Sequence, residues 1–144
     1  MHQRMLMTFL LVLPLAAQAD ALVLNDLRAQ NGTRLPVDEL KQLMPGAKVV
    51  SHTETGGIRH WTNEADGTLL ASSDAFRKAG RATNSKTAQG TWHIGDDGAY
   101  CIAIEWRGKS EDWCRYLFKV GAKYYGVGSV TNGTAKAHEF EFSR

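Results

Sequence analysis

His52, His60, His93 and His138 are the side chains best suited by type to hold a metal or move a proton, and their spacing supports neither. They are scattered over segments that read as strands, with no H-x-H, H-E-x-x-H or paired Cys/His spacing, so only the fold could assemble a zinc site from them. Ordinary half-buried histidines are the expectation. The carboxylates Asp96, Asp97, Glu105, Glu111 and Asp112 lie near one end of the central hairpins by this reading. Two carboxylates can divide acid and base roles when their surroundings push their pKa values apart. Most of these sit in turns, however, where aspartate bonds to its own backbone, and solvated turn residues are expected. Serines are plentiful without a Gly-x-Ser-x-Gly elbow. Gly126-Val127-Gly128 lacks the downstream pattern of a phosphate-cradling loop. No catalytic residue, metal ligand or cofactor is assigned, and an enzyme is not expected.

Aromatic residues carry the stronger signal. Trp61, Trp92, Trp106, Trp113, Tyr100, Tyr116, Tyr124 and Tyr125 are many for a small β domain, and core packing accounts for most of them. Both faces of one hairpin are apolar: Tyr100, Ile102, Ile104, Trp106, Trp113 and Leu117 on one, Cys101, Ala103, Cys114, Tyr116, Phe118 and Val120 on the other. A sheet with a single buried face would alternate more cleanly. The surplus can lie under a helix, line a barrel interior, or form a recognition patch. Trp92, Trp106 and Tyr124 are the candidate ligand-binding residues.

These groups are positioned by the stretch 90–120. Its alternating apolar residues from Tyr100 to Trp106 predict a strand, introduced by an Asp96-Asp97-Gly98 turn. If Arg107-Gly108 is a two-residue loop, Trp106 faces Lys109 and Cys101 falls opposite Cys114, in a non-hydrogen-bonded pair whose side chains approach closely. A cross-strand Cys101–Cys114 disulfide fits that register. A longer loop through residues 109–112 would shift the count.

Compartment follows from the start of the chain. Arg4, an apolar run over residues 5–15 and Ala17-Gln18-Ala19 read as a secretory signal peptide over residues 1–19, too short for a membrane span. Residues 20–144 are expected to form a single β-rich domain without a membrane span, periplasmic or secreted, where a structural disulfide outweighs a reactive thiol. The formal net charge of +2, one unit of it from Arg4, gives no electrostatic case for nucleic acid.

Within that domain, residues 20–30 are ambiguous between strand and helical turn. Residues 36–44 predict a short helix, with Pro36 at its first position and Val37, Leu40 and Met44 on one face. Strands are predicted over 47–52, 58–62, 68–72, 100–106, 113–120, 123–128 and a final segment carrying His138, Phe140 and Phe142, separated by glycine turns. Residues 73–89, small, polar and basic, read as a mobile loop. The expected fold is mainly β: a single antiparallel β-barrel or curved sandwich with one short N-terminal helix across an end or a face.

The motif order also carries a resemblance. A short helix closing in Pro45-Gly46 is followed by Gly90-Thr91-Trp92, Asp97-Gly98-x-Tyr100-Cys101, Trp106, Trp113-Cys114-Arg115 and Gly121-x-x-Tyr124-Tyr125. This resembles a proteobacterial family of small exported proteins with a domain of unknown function, over about residues 35–128. The resemblance implies a periplasmic or secreted β-rich domain with paired cysteines and no established reaction. It favours reading Asn31-Gly32-Thr33 and Asn132-Gly133-Thr134 as turns rather than glycosylation sites. The Gly-x-Trp element also resembles the strand opening of lipocalin-type barrels, although it lies late in this chain. Two functions remain open: an exported, non-catalytic envelope protein binding a small amphipathic or lipid-like ligand in a barrel mouth, and a protein-interaction factor such as an inhibitor of an envelope hydrolase.

Overall fold

The chain is described by a computed structural model over residues 21–53, 56–73 and 86–144. The signal-peptide reading of residues 1–19, and residues 74–85 of the expected loop, lie outside the described residues. Eight antiparallel strands close into a barrel. In chain order they are β2 (Lys48–His52), β3 (Ile58–Thr62), β4 (Thr68–Ser73), β5 (Lys86–Ile94), β6 (Tyr100–Trp106), β7 (Lys109–Val120), β8 (Lys123–Val127) and β9 (Ala137–Ser143). Each pairs with the next, and β9 returns to pair with β2, so the connection is a simple meander with no open edge in the ring. A short extra strand, β1 (Thr33–Arg34), pairs with Lys119 and Phe118 of β7, beyond the point where β6 begins.

Side-chain alternation sorts residues onto the two faces of this wall. Val49, Trp61, Leu69, Ala71, Ala88, Tyr100, Ile102, Ile104, Leu117 and Phe140 point inward and form the main core. Leu70, between two inward residues, is 63 % exposed on the outside. Helix α2 (Val37–Leu43) lies across one end, where Leu40 and Met44 are fully buried with Leu35 beside them. Pro36 is its N-cap rather than its first helical residue. Arg144, following β9, donates to the carbonyls of Gln42 and Pro45 at the C-terminal end of α2, where the helix dipole favours a cation.

A buried polar cluster ties this cap to the barrel. Tyr100 Oη donates to Asn63 Oδ1 at 2.6 Å, and Trp61 Nε1 donates to Tyr100 Oη at 3.0 Å and Asn63 Oδ1 at 3.2 Å. Asn63 Nδ2 reaches the sulfur of Met44 in the cap. Burial pushes the Tyr100 hydroxyl above its ordinary pKa of 10.0, against the hydrogen bonds of Trp61 and Asn63, which lower it.

The ambiguous N-terminal segment is a second helix, α1 (Leu24–Ala29), so the described residues hold two short helices where one was expected. The Asp26 carboxylate accepts from the Val23 N–H at 2.8 Å and starts α1, and Asn31 ends it in the left-handed region at φ 58°. Helix α1 packs on the outside of the barrel. Leu24 and Leu27 join Phe118 and Val127 in a second core, with Tyr116, Val120 and Tyr125 against it. The doubly apolar hairpin therefore has two explanations at once: one face lines the bore and part of the other lies under α1.

The hairpin register is the one the two-residue loop predicts. Trp106 pairs with Lys109 and Cys101 with Cys114, with Gly108 at φ 80° in the loop. The cysteines form a disulfide on the outer face, their Cα atoms 4.0 Å apart. One expectation needs correction: Ser73 ends β4 and Lys86 to Gln89 begin β5, paired Ser73 with Lys86 and Leu70 with Gln89. Their inward positions are the small Ala88 and Gly90, which carry little apolar signal. A Cβ at Gly90 would meet the Ala103 carbonyl at 2.3 Å, so the close approach of β5 to β6 requires glycine there.

Candidate functional site

Barrel closure places β3 opposite β7, since three strands separate them in either direction round the ring. Inward residues of these two strands therefore meet across the bore. Trp61 and Trp113 do so with ring centroids 6.4 Å apart. Two positions further toward the end away from α2, Arg59 and Glu111 do the same as an ion pair. Arg59 Nη1 lies 2.5 and 2.6 Å from the two carboxylate oxygens, and the side chains are only 19 % and 14 % exposed. Trp106, inward on β6, donates its Nε1–H to Glu111 Oε2 at 2.5 Å and lies under the Arg59 guanidinium at 5.6 Å. The result is a polar crossbar over the barrel mouth.

Beneath it the bore is filled. Trp113 packs on Phe140 at 6.0 Å, Phe140 stacks on Phe142 at 5.9 Å, and Phe142 meets Tyr124 at 5.2 Å. An acyl chain running down this axis would have to displace these aromatic side chains. On the β2–β9 side of the crossbar a concavity of about 260 Å³ remains, lined by Ser51, Arg59, Glu111, Trp113, Arg115, His138 and Phe140, with His52 and Thr53 at its rim. Arg115 places its guanidinium 5.1 Å from the centre of the Trp113 ring. A Cβ on Gly126 of β8 would meet Phe140 at 2.6 Å and Arg115 Cβ at 3.0 Å, so glycine leaves the room these two side chains occupy.

The three aromatics singled out from sequence do not come together. Trp106 is at the mouth. Trp92 lies near the α2 end, donating to the Glu64 carbonyl at 2.8 Å and packing on Tyr100. Tyr124 lines a separate hollow of about 250 Å³ with Leu35, Glu39, Gln42 and Leu43 against α2. Trp113, Arg59, Arg115 and His138 are mouth residues that were not singled out as a set.

The acidic residues also separate. Asp97 belongs to the β5–β6 turn at the capped end, where it accepts from Tyr116 Oη at 2.7 Å. That bond, with the Ala99 N–H and Arg34 nearby, holds Asp97 below the usual carboxylate range. The same bond raises Tyr116, against Arg34, which lowers it. Glu105 and Glu111 lie at the other end of β6, Glu105 outward and bonded to Ser110. The expected grouping at one end does not hold, because the whole length of β6 stands between the two sets, and Glu111 is an inward residue rather than a solvated one.

His52 bonds Glu141 on the outer face at 2.9 Å, whereas His138 turns inward to the mouth. Among the described residues no cluster of three or more His, Cys, Asp or Glu side chains could hold a metal ion. No helix among them is long and apolar enough to cross a membrane. Comparison of the chain with protein-family models, curated proteins and solved structures finds no match. The site is therefore read from its own chemistry.

Proposed function

We propose that this is a non-catalytic binding module of the cell envelope, holding a small amphipathic molecule in the open mouth of its barrel. The observation that carries the reading is the asymmetry of the bore. The α2 end is closed with apolar and aromatic side chains, while the mouth keeps Arg59, Glu111, Arg115 and His138 around a concavity floored by Trp113 and Phe140. An ion pair inside a barrel adds little net stability over an apolar pair of the same size. Its retention beside an aromatic floor supports a recognition role. Glu111 is committed on both oxygens to Arg59 and Trp106, an arrangement suited to holding a shape rather than to accepting a substrate proton.

The volume of about 260 Å³ lies just under the roughly 300–1,000 Å³ of drug-sized pockets. It favours a compact ligand over a long-chain lipid. Periplasmic or secreted placement rests on the leader motif, the resemblance to exported proteobacterial proteins and the Cys101–Cys114 disulfide. A second reading, the protein-interaction factor, draws on the outer face of β4 with its exposed Leu70.

The test is a titration of the protein with naphthalene-2-carboxylate and naphthalene-2-carboxamide, followed by tryptophan emission and by chromatography of the recovered compounds. A saturable response with both compounds recovered intact is expected from at least one of them. No saturable response, or chemical conversion of a bound compound, would overturn the proposal.

A further inference from the structure

The Cys101–Cys114 disulfide has two unequal ends. It lies on the outer face of the β6–β7 hairpin, opposite the face on which Trp113 lines the mouth. Cys101 is 4 % exposed, whereas Cys114 is open to solvent. The strand order explains the difference. Cys101 is flanked on its other side by β5, where His93 is its direct partner on the same face. Cys114 has no such strand beside it among the described residues. The ring closes on the Tyr116–Val120 half of β7, and β8 ends at Val127 opposite Tyr116, two residues short of Cys114.

This asymmetry decides how the bond can be opened. A thiolate attacks one sulfur of a disulfide from the side away from the sulfur that leaves, and access selects which sulfur is attacked. An attack on Cys101 would have to come across β5. An attack on Cys114 comes over the edge of β7, beyond the end of β8. The exposed sulfur is the point of entry and the buried one is the leaving group.

The fold also provides the return step. The β6–β7 ladder runs from Tyr100–Arg115 to Trp106–Lys109, and the ring is closed through the other strands. Cleavage therefore leaves the two sulfurs facing each other, and the bond closes again as an intramolecular step without refolding.

We propose that Cys114 is a reversible S-thiolation site of the folded protein for small external thiols, with Cys101 as the resolving cysteine. In the forward step the external thiolate bonds to Cys114 Sγ and the S–S bond breaks. The electron pair of that bond leaves on Cys101 Sγ, which takes up the proton the external thiol gave to water. In the return step the Cys101 thiolate bonds to Cys114 Sγ and expels the external thiolate, so no oxidant is consumed in either direction. This site lies outside the mouth and does not depend on the mouth's function.

The experiment treats the wild-type protein with reduced glutathione in urea below its unfolding transition. The reaction is quenched with acid, free thiols are capped with N-ethylmaleimide, and the peptides are mapped by mass. Glutathione should be found on Cys114 and maleimide on Cys101, about tenfold or more over the reverse arrangement. The cleavage rate should rise in proportion to glutathione and stay within about twofold as urea increases below the transition, as attack on the native state requires. Single variants give an independent readout, with near-ultraviolet circular dichroism verifying that each keeps the fold. With glutathione disulfide, the Cys114 thiol of Cys101→Ser should form its adduct about tenfold or more faster than the Cys101 thiol of Cys114→Ser. Equal labelling of the two cysteines in either experiment, or glutathione mainly on Cys101, would overturn the assignment. So would cleavage that is absent below the transition or follows the unfolded fraction as urea rises, since the disulfide would then open only in the unfolded chain.

Discussion

Replacing Glu111 by glutamine leaves Arg59 inside the barrel without its counter-charge. The pair is 19 % and 14 % exposed, so water screens it weakly. At roughly 4 Å between charge centres and an effective dielectric near 20, the attraction is about 4 kcal/mol, most of it offset in the intact protein by desolvation. The single substitution removes the attraction and keeps the desolvation cost of Arg59. Stranding one member of a buried pair typically costs about 3–5 kcal/mol. Glutamine still offers an oxygen to the Trp106 indole or to Arg59, which reduces the expected loss to about 2–3 kcal/mol. Urea unfolding followed by tryptophan emission should show this as a lower midpoint with an unchanged slope. The double replacement Arg59→Met with Glu111→Leu should lie near or above wild-type stability, since an apolar pair of similar volume is no worse in such a site. A loss for Glu111→Gln under about 0.5 kcal/mol, the range of ordinary surface changes, would refute the crossbar geometry.

Reducing the Cys101–Cys114 disulfide, with its sequence separation of 13, should cost about 3 kcal/mol, read as a fall in urea midpoint on adding reductant. Tyr100→Phe should cost about 1–3 kcal/mol by removing the hydroxyl shared with Trp61 and Asn63, measured by the same unfolding curves. Because the folded state holds the Tyr100 proton more tightly than the unfolded chain, this group's contribution is intact below pH 10.0 and declines as pH rises beyond it. Spectrophotometric alkaline titration should therefore find one tyrosine that ionises only with unfolding. Leu27→Ala, at a fully buried position of the outer core, should cost about 2–4 kcal/mol and expose dye-binding surface under α1.

The central hairpin was legible because its two-residue loop anchors the count. Once Arg107-Gly108 is the turn, every partner from Trp106 back to Cys101 follows, and the cysteines check the result. The first half of β5 was not legible, since Ala88 and Gly90 point inward while Thr87, Gln89 and Thr91 point to solvent, and the segment looks uniformly polar. Helix α1 escaped for another reason: Leu24 and Leu27 make a face too short to separate from a strand, and only the Phe118 and Val127 surface gives it a place. The crossbar depends on ring closure, which brings together residues 52 positions apart. A local signal for it did exist. Arg59 shares alternation parity with Trp61, and Glu111 with Trp113, so both charged residues belong to faces already committed to the core. Trp106 was singled out by type and lies at the mouth, while Trp92 and Tyr124 could be placed at the far end only from the barrel register.

The most direct test of the account follows the indole N–H resonances of the ¹⁵N-labelled protein during titration with naphthalene-2-carboxylate. Trp113 forms the floor of the concavity and Trp106 braces its crossbar, while Trp92 is bonded to Glu64 near the α2 end and serves as an internal control. The Trp113 and Trp106 signals should move together to saturation while the Trp92 signal stays in place. Movement of Trp92 with Trp113 and Trp106 unchanged would put the ligand at the capped end and contradict the mouth as the binding site.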